Sequence, residues 1–219
     1  LRDRLLREGR VGVAEAVTLT REVADALEFA HRAGVVHRDI KPENILLQAG
    51  HAVVADFGIA RAISAAGGAR LTASGIAVGT PDYMSPEQAA GDEHIDGRSD
   101  IYSLGCVTFE MLVGRPPFSG TTPQKVLAQK LGQAVPTLVS LEPIPSTISR
   151  AVTRALAKHA EDRFLTAADF AAALAGAEGE RALRLGRLAR PAAAVAALGL
   201  VAILAFGWQW RRAHPADRA

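Results

Sequence analysis

The sequence predicts a mainly α-helical domain carrying a small insert of short strands and polar loops, followed by one apolar helix of membrane-spanning length. Three observations predict it. Apolar residues Val17, Val23, Ala26, Leu27 and Ala30 recur at helical spacing within residues 14–32. Short apolar runs then follow (Val35-Val36, Ile45-Leu46-Leu47 and Ala52-Val53-Val54-Ala55), separated by polar and proline residues, and these read as brief strands around loops. Finally, residues 191–210 contain no charged side chain.

In chain order, residues 1–8 read as a short helix ended by Gly9, and residues 14–32 as a longer one closed by Gly34. After the strand runs, residues 61–80 are rich in Gly, Ala, Ser and Thr without a period. A structureless loop of that length inside a compact domain is usually functional. Helical patterning resumes at 98–113 and 122–132; Pro136, Pro143 and Pro145 then interrupt it, and helices fit 146–158 and 166–176. The expected organisation is a folded domain over 1–176, an arginine-rich linker over 177–190, a spanning helix over 191–210 and a short tail over 211–219. At 1.5 Å per residue, about 20 residues cross the roughly 30 Å of bilayer hydrocarbon. Trp208 and Trp210 suit one interface, Arg181, Arg184, Arg187 and Arg190 flank one end, and Arg211, Arg212 and Arg218 the other. The spacing of Ala193 and Ala197 hints weakly at helix pairing.

Composition narrows the function classes. With 49% hydrophobic and 22% charged residues, the chain has the balance of a core-forming protein and not of a disordered one. The formal charge is only +2 and aromatics are 5%, which argues against a nucleic-acid surface. Cys106 is the single cysteine, so no internal disulfide forms; it lies in an apolar run where a small buried thiol is expected. No secretory signal opens the chain, and residue 1 is Leu, so the sequence is expected to start inside something larger.

The polar insert carries the chemistry. Residues 37–44 read His37-Arg38-Asp39-Ile40-Lys41-Pro42-Glu43-Asn44, residues 56–58 read Asp56-Phe57-Gly58, and Ser85-Pro86-Glu87 closes the long loop. In this order and context the three motifs resemble those of eukaryotic-like (Hanks-type) bacterial serine/threonine protein kinases. The resemblance covers residues 1–175 and implies the larger, C-terminal lobe of that fold, helical, with short strands carrying the catalytic and metal-binding loops.

Phosphoryl transfer needs positioning and charge neutralisation more than covalent chemistry. By resemblance, Asp39 would accept or orient the proton of the substrate hydroxyl, and Lys41 would meet the transferring phosphate as a point charge. Asn44 and Asp56 would hold Mg²⁺, with Mn²⁺ able to substitute, because such ions take hard oxygen ligands beside the ATP phosphates. Leu46 would lie beneath the adenine, and Thr80 would contact Asp39 and Lys41, the serine/threonine pattern. His37 and Phe57 would stack in the core beside Gly58; Asp100 would hold the catalytic loop's backbone; Glu87 and Arg163 would brace the substrate-binding segment as an ion pair. Arg38 would receive a phosphorylated side chain of the long loop, with Thr72 and Ser74 as the expected phosphosites. His31 and His94 read as incidental, and His159-Ala160 departs from the usual Asp-Pro after Lys158.

The same pattern demands a glycine-rich loop, a strand lysine and a helix glutamate, and the sequence has none of them. The smaller lobe is therefore expected to be absent and the chain alone inactive. The implied partners are ATP and protein substrates, with a homodimer through the kinase domain or the apolar helix compatible with the pattern. The implied location is a single-pass arrangement at the cell membrane with the lobe cytoplasmic, where ATP and Mg²⁺ are. Two rivals stand beside the enzyme: a catalytically dead docking scaffold tethered to the membrane, and a membrane anchor carrying the lobe as a passenger.

Overall fold

The computed structural model describes residues 1–57, 81–138 and 143–176. Leu1–Ala177 form one compact unit; the second unit, Glu178–Ala219, lies outside the described residues. In chain order the elements are α1 (Arg2–Glu8), α2 (Val13–Arg32), β1 (Ile45–Gln48), β2 (His51–Val54), α3 (Pro86–Ala90), α4 (Gly97–Val113), α5 (Pro123–Gly132), α6 (Ser146–Ala155) and α7, residues 167–176. Short 3₁₀ turns occupy Pro42–Asn44 and Ala160–Asp162.

The core forms where α2 and α6 pack on α4. α2 buries one stripe, from Val13, Ala16 and Val17 through Val23, Ala24 and Leu27 to Ala30. That is the period of a helix with one face on a core. α4 is buried almost all round, from Ser99 to Leu112, because neighbours cover every face. At the α2–α4 contact the Thr20 and Thr108 hydroxyls meet at 3.0 Å, and each also returns a bond to its own helix, so neither buried hydroxyl is orphaned.

β1 and β2 pair antiparallel from Ile45↔Val54 to Gln48↔His51. The two-residue turn between them places Ala49 at φ 51 and Gly50 at φ 87. Positive φ at both positions belongs to the hairpin turn whose twist matches paired strands. Glu22 of α2 accepts from the Ala52 amide at 2.6 Å and meets His51 Nδ1 at 2.6 Å, so the hairpin is fastened to α2 by its edge.

Several expectations need correction. Residues 35–36 are not a strand; the ladder contains 45–48 and 51–54 alone, and no described segment pairs with Val35-Val36. The helix expected to reach 158 stops at Ala155: the Ala157 amide turns back to the Arg154 carbonyl three residues earlier, and the Ala157 and Lys158 carbonyls go to Arg163. α3 lay inside no predicted element. The fold class that included a membrane-spanning helix is also corrected: among the described residues, no helix is long and apolar enough to cross a membrane. The longest, α2, is amphipathic, and the most buried, α4, carries Asp100 and Glu110 within the protein. The 191–210 run on which that expectation rested lies outside the described residues.

Candidate active site

The loop joining α2 to β1 carries residues 37–44, and α4 holds it from below. Asp100, fully buried in the first turn of α4, accepts from the His37 amide at 2.8 Å and the Arg38 amide at 2.7 Å. The His31 imidazole sits 2.7 Å from the same carboxylate. Above, the Gln88 amide of α3 donates to the Arg38 carbonyl at 2.8 Å. Arg38 takes φ 69, a left-handed conformation that costs a residue with a Cβ about 1–3 kcal/mol. The bonds on both its faces offset that cost, and they aim the next residue, Asp39.

The Asp39 carboxylate, 44% exposed, receives Lys41 Nζ at 2.7 Å. Asn44, buried, donates its amide to the Asp39 carbonyl at 2.7 Å and to the Asp39 carboxylate at 3.1 Å. Both side-chain amide hydrogens are committed there, which leaves the Asn44 side-chain oxygen Oδ1, distinct from its main-chain carbonyl, as the atom available to a metal. The Ala55 amide donates to the Asn44 carbonyl at 2.9 Å, so the residue before Asp56 is fastened to the same turn. His37 donates Nε2–H to the Ala55 carbonyl at 2.9 Å and accepts the Asp39 amide on Nδ1 at 3.3 Å, which fixes one neutral tautomer. Asp56 then leaves β2 with φ 63, exposed.

The site thus gathers a carboxylate beside an ammonium, an amide oxygen and a second carboxylate near one turn. That donor set suits a hard cation shared with phosphate oxygens, which needs only one or two protein carboxylates. Among the described residues there is no group of three or more His, Cys, Asp or Glu that could hold a metal ion. Leu46 and Val53 are cross-strand partners and both exposed, forming an apolar face on the hairpin. The His37 and Phe57 rings meet edge to face at 4.8 Å; His37 is buried, but Phe57 is 37% exposed and is not a core residue.

The brace beneath α3 pairs Arg163 with Glu87. Arg163 donates from Nη1 and Nη2 to the two Glu87 oxygens at 2.7 Å each. Its remaining N–H groups go to the carbonyls of Ala157 (2.8 Å), Lys158 (2.9 Å) and Arg98 (3.1 Å), so all five donors are used. Burial works to raise the Glu87 carboxyl, but the bonds from Arg163 and from the Ser99 hydroxyl hold it below the usual carboxylate range. α3 itself starts with a reciprocal cap: the Ser85 hydroxyl accepts from the Gln88 amide, and the Gln88 side chain accepts from the Ser85 amide.

Sequence reasoning missed one cluster altogether. Arg2 donates to Glu43 at 2.7 Å, to Glu110 at 2.8 Å and to the Tyr83 hydroxyl at 2.5 Å, and Tyr83 in turn donates to Glu110. Burial and then Glu110 push the Tyr83 hydroxyl well above its ordinary pKa, so it stays a donor. His31, read as incidental, is instead a partner of Asp100, and Gly97 makes room for it: a Cβ there would lie 2.6 Å from the ring. Gly58, Thr72, Ser74 and Thr80 fall outside the described residues.

A helical domain whose one hairpin positions an Asp-x-Lys-x-x-Asn loop against a following aspartate defines the class of the protein kinases. The chain belongs to that family: the protein kinase domain matches residues 1–170. The chain is similar to the serine/threonine-protein kinase PknB of Mycobacterium tuberculosis, 43% identical over 176 residues covering 80% of this chain and 28% of that protein. PknB of Mycolicibacterium smegmatis is 41% identical over the same shares, and PknD of Mycobacterium tuberculosis 43% identical over 79% of this chain and 26% of its own length. The chain therefore spans about 28% of the length of the first of these curated relatives.

Proposed function

We propose that the chain supplies the larger, C-terminal lobe of a serine/threonine protein kinase, which moves the γ-phosphate of ATP to a serine or threonine hydroxyl of a protein. The observation that carries this reading is the Asp39–Lys41–Asn44 cluster, held at hydrogen-bonding distance on a loop that Asp100 fixes from within the core. Asp39 receives the hydroxyl proton as the new oxygen–phosphorus bond forms and the bond to the departing ADP breaks. Lys41 steadies Asp39 and presents positive charge to the transferring group. Asn44 and Asp56 offer oxygen ligands to Mg²⁺, which when bound neutralises the phosphate charge. Leu46 and Val53 supply an apolar floor for the base.

The 43% identity to bacterial serine/threonine-protein kinases supports the hydroxyl-directed specificity. We place the reaction in the cytoplasm, where ATP and Mg²⁺ are, and Thr72 and Ser74 as phosphosites whose phosphate pairs with Arg38. The test is radiolabelled ATP with Mg²⁺ and a protein substrate, using the protein as its gene encodes it, followed by phosphoamino-acid analysis and mass spectrometry. Phosphoserine or phosphothreonine is expected, with label at Thr72 or Ser74; absence of transfer points to a catalytically dead docking scaffold, and phosphotyrosine alone contradicts the specificity.

A further inference from the structure

Lys130 has no part in the chemistry above, yet it is among the largest fully buried side chains of the domain. It sits near the end of α5, which packs against α3. Among the described residues no carboxylate forms an ion pair with its ammonium, and the Asp82 charge acts on it only through space. The group is held instead by the Asp82 carbonyl at 2.7 Å, by the ring faces of Tyr102 and Phe118 with centroids 5.1 and 5.8 Å away, and by Cys106 Sγ at 3.9 Å. Taking an ammonium out of water onto one carbonyl and two rings is costly, and an apolar chain of similar length would fill the space without that cost. Burial accordingly drives the Lys130 ammonium below its ordinary pKa and the Asp82 carboxyl above its own.

What the cation adds is one short hydrogen bond to the main chain, and its target is informative. Asp82 leads into α3, and the next residue, Tyr83, is gripped by Arg2 of α1 and Glu110 of α4. Two successive residues of the substrate-binding segment are thus tied to separate helices, one by its main chain and one by its side chain. We infer that Lys130 is a positioning residue for the protein substrate: it clamps the Asp82 main chain to α5 and so sets where the docking segment stands relative to Asp39. This rests on the kinase reading. Lys130 acts through Asp82 and touches neither nucleotide nor the reacting hydroxyl.

The test is Lys130→Met, which keeps the buried stem and removes the donor and the charge. In the full-length protein the peptide KM is expected to rise fivefold or more while the ATP KM stays within twofold and the melting temperature holds or rises. Hydrogen exchange at Tyr83 and the amides leading into α3 is expected to quicken while α4 stays protected. An unchanged peptide KM overturns the inference, as does a parallel rise of both KM values with a lowered melting temperature, which marks a merely structural role. If the wild-type protein transfers no phosphate, the kinase reading is what fails. The clamp is then judged on hydrogen exchange alone, and unchanged protection of that segment in Lys130→Met overturns it.

Discussion

Asp39 and Asp100 serve the same loop in opposite ways. Asp100 is fully buried and accepts from two backbone amides with a histidine beside it, whereas Asp39 is almost half exposed and receives one lysine and one long amide bond. The contrast extends to their surroundings. Under α3, Arg163 uses all five of its donors and Glu87 accepts from both Arg163 and Ser99; at the loop's rim, Asp39, Lys41 and Asp56 remain open to solvent to different degrees. A polar group that is buried and saturated holds the backbone, and one left partly unsatisfied is available to a substrate. Each substitution below tests that division.

The largest effect is expected at the rim. Asp39→Asn should lower phosphoryl transfer about 10²–10⁴-fold, the range for losing a general base, with little change in the urea midpoint. At the brace the roles reverse. Glu87→Gln or Arg163→Met leaves a buried partner without its counter-charge and should cost about 3–5 kcal/mol in urea unfolding. Gly97→Ala forces the His31 ring to move and should cost about 1–3 kcal/mol, with faster hydrogen exchange at His37 and Arg38. Ser85→Ala removes half of the reciprocal cap on α3 and should cost about 1 kcal/mol.

The brace also fixes a direction for pH. The Glu87 carboxyl titrates lower in the folded protein than its ordinary 4.5, so its contribution is complete above that value. It is lost as pH falls through the folded pKa. Acid unfolding of the wild type should therefore steepen below pH 4.5 relative to Glu87→Gln, and identical acid limbs would place the strength of the brace elsewhere.

The same division explains what the sequence made legible. Residues 37–44 were readable because the chemistry confines its residue types to one short stretch, and α2 because nine buried positions repeat on one face. Glu87 and Arg163 lie 76 positions apart and were visible only through the family resemblance. The grip of Arg2 on Tyr83 and Glu110 spans 81 and 108 positions and leaves no local pattern. α3 could have been found, since Ser85 and Gln88 have capping-box spacing, but five residues are too few to show a period. Lys130 sits on a helix that was expected, and nothing local in the sequence marks its side chain as buried.

The most direct measurement is transfer of radiolabel from ATP by Asp39→Asn in the full-length protein, with a thermal melt of the same preparation. A melting curve superimposable on that of the wild type and transfer reduced at least a hundredfold are expected. Transfer at the wild-type rate, or a loss of transfer that merely follows unfolding, would contradict the role given to Asp39.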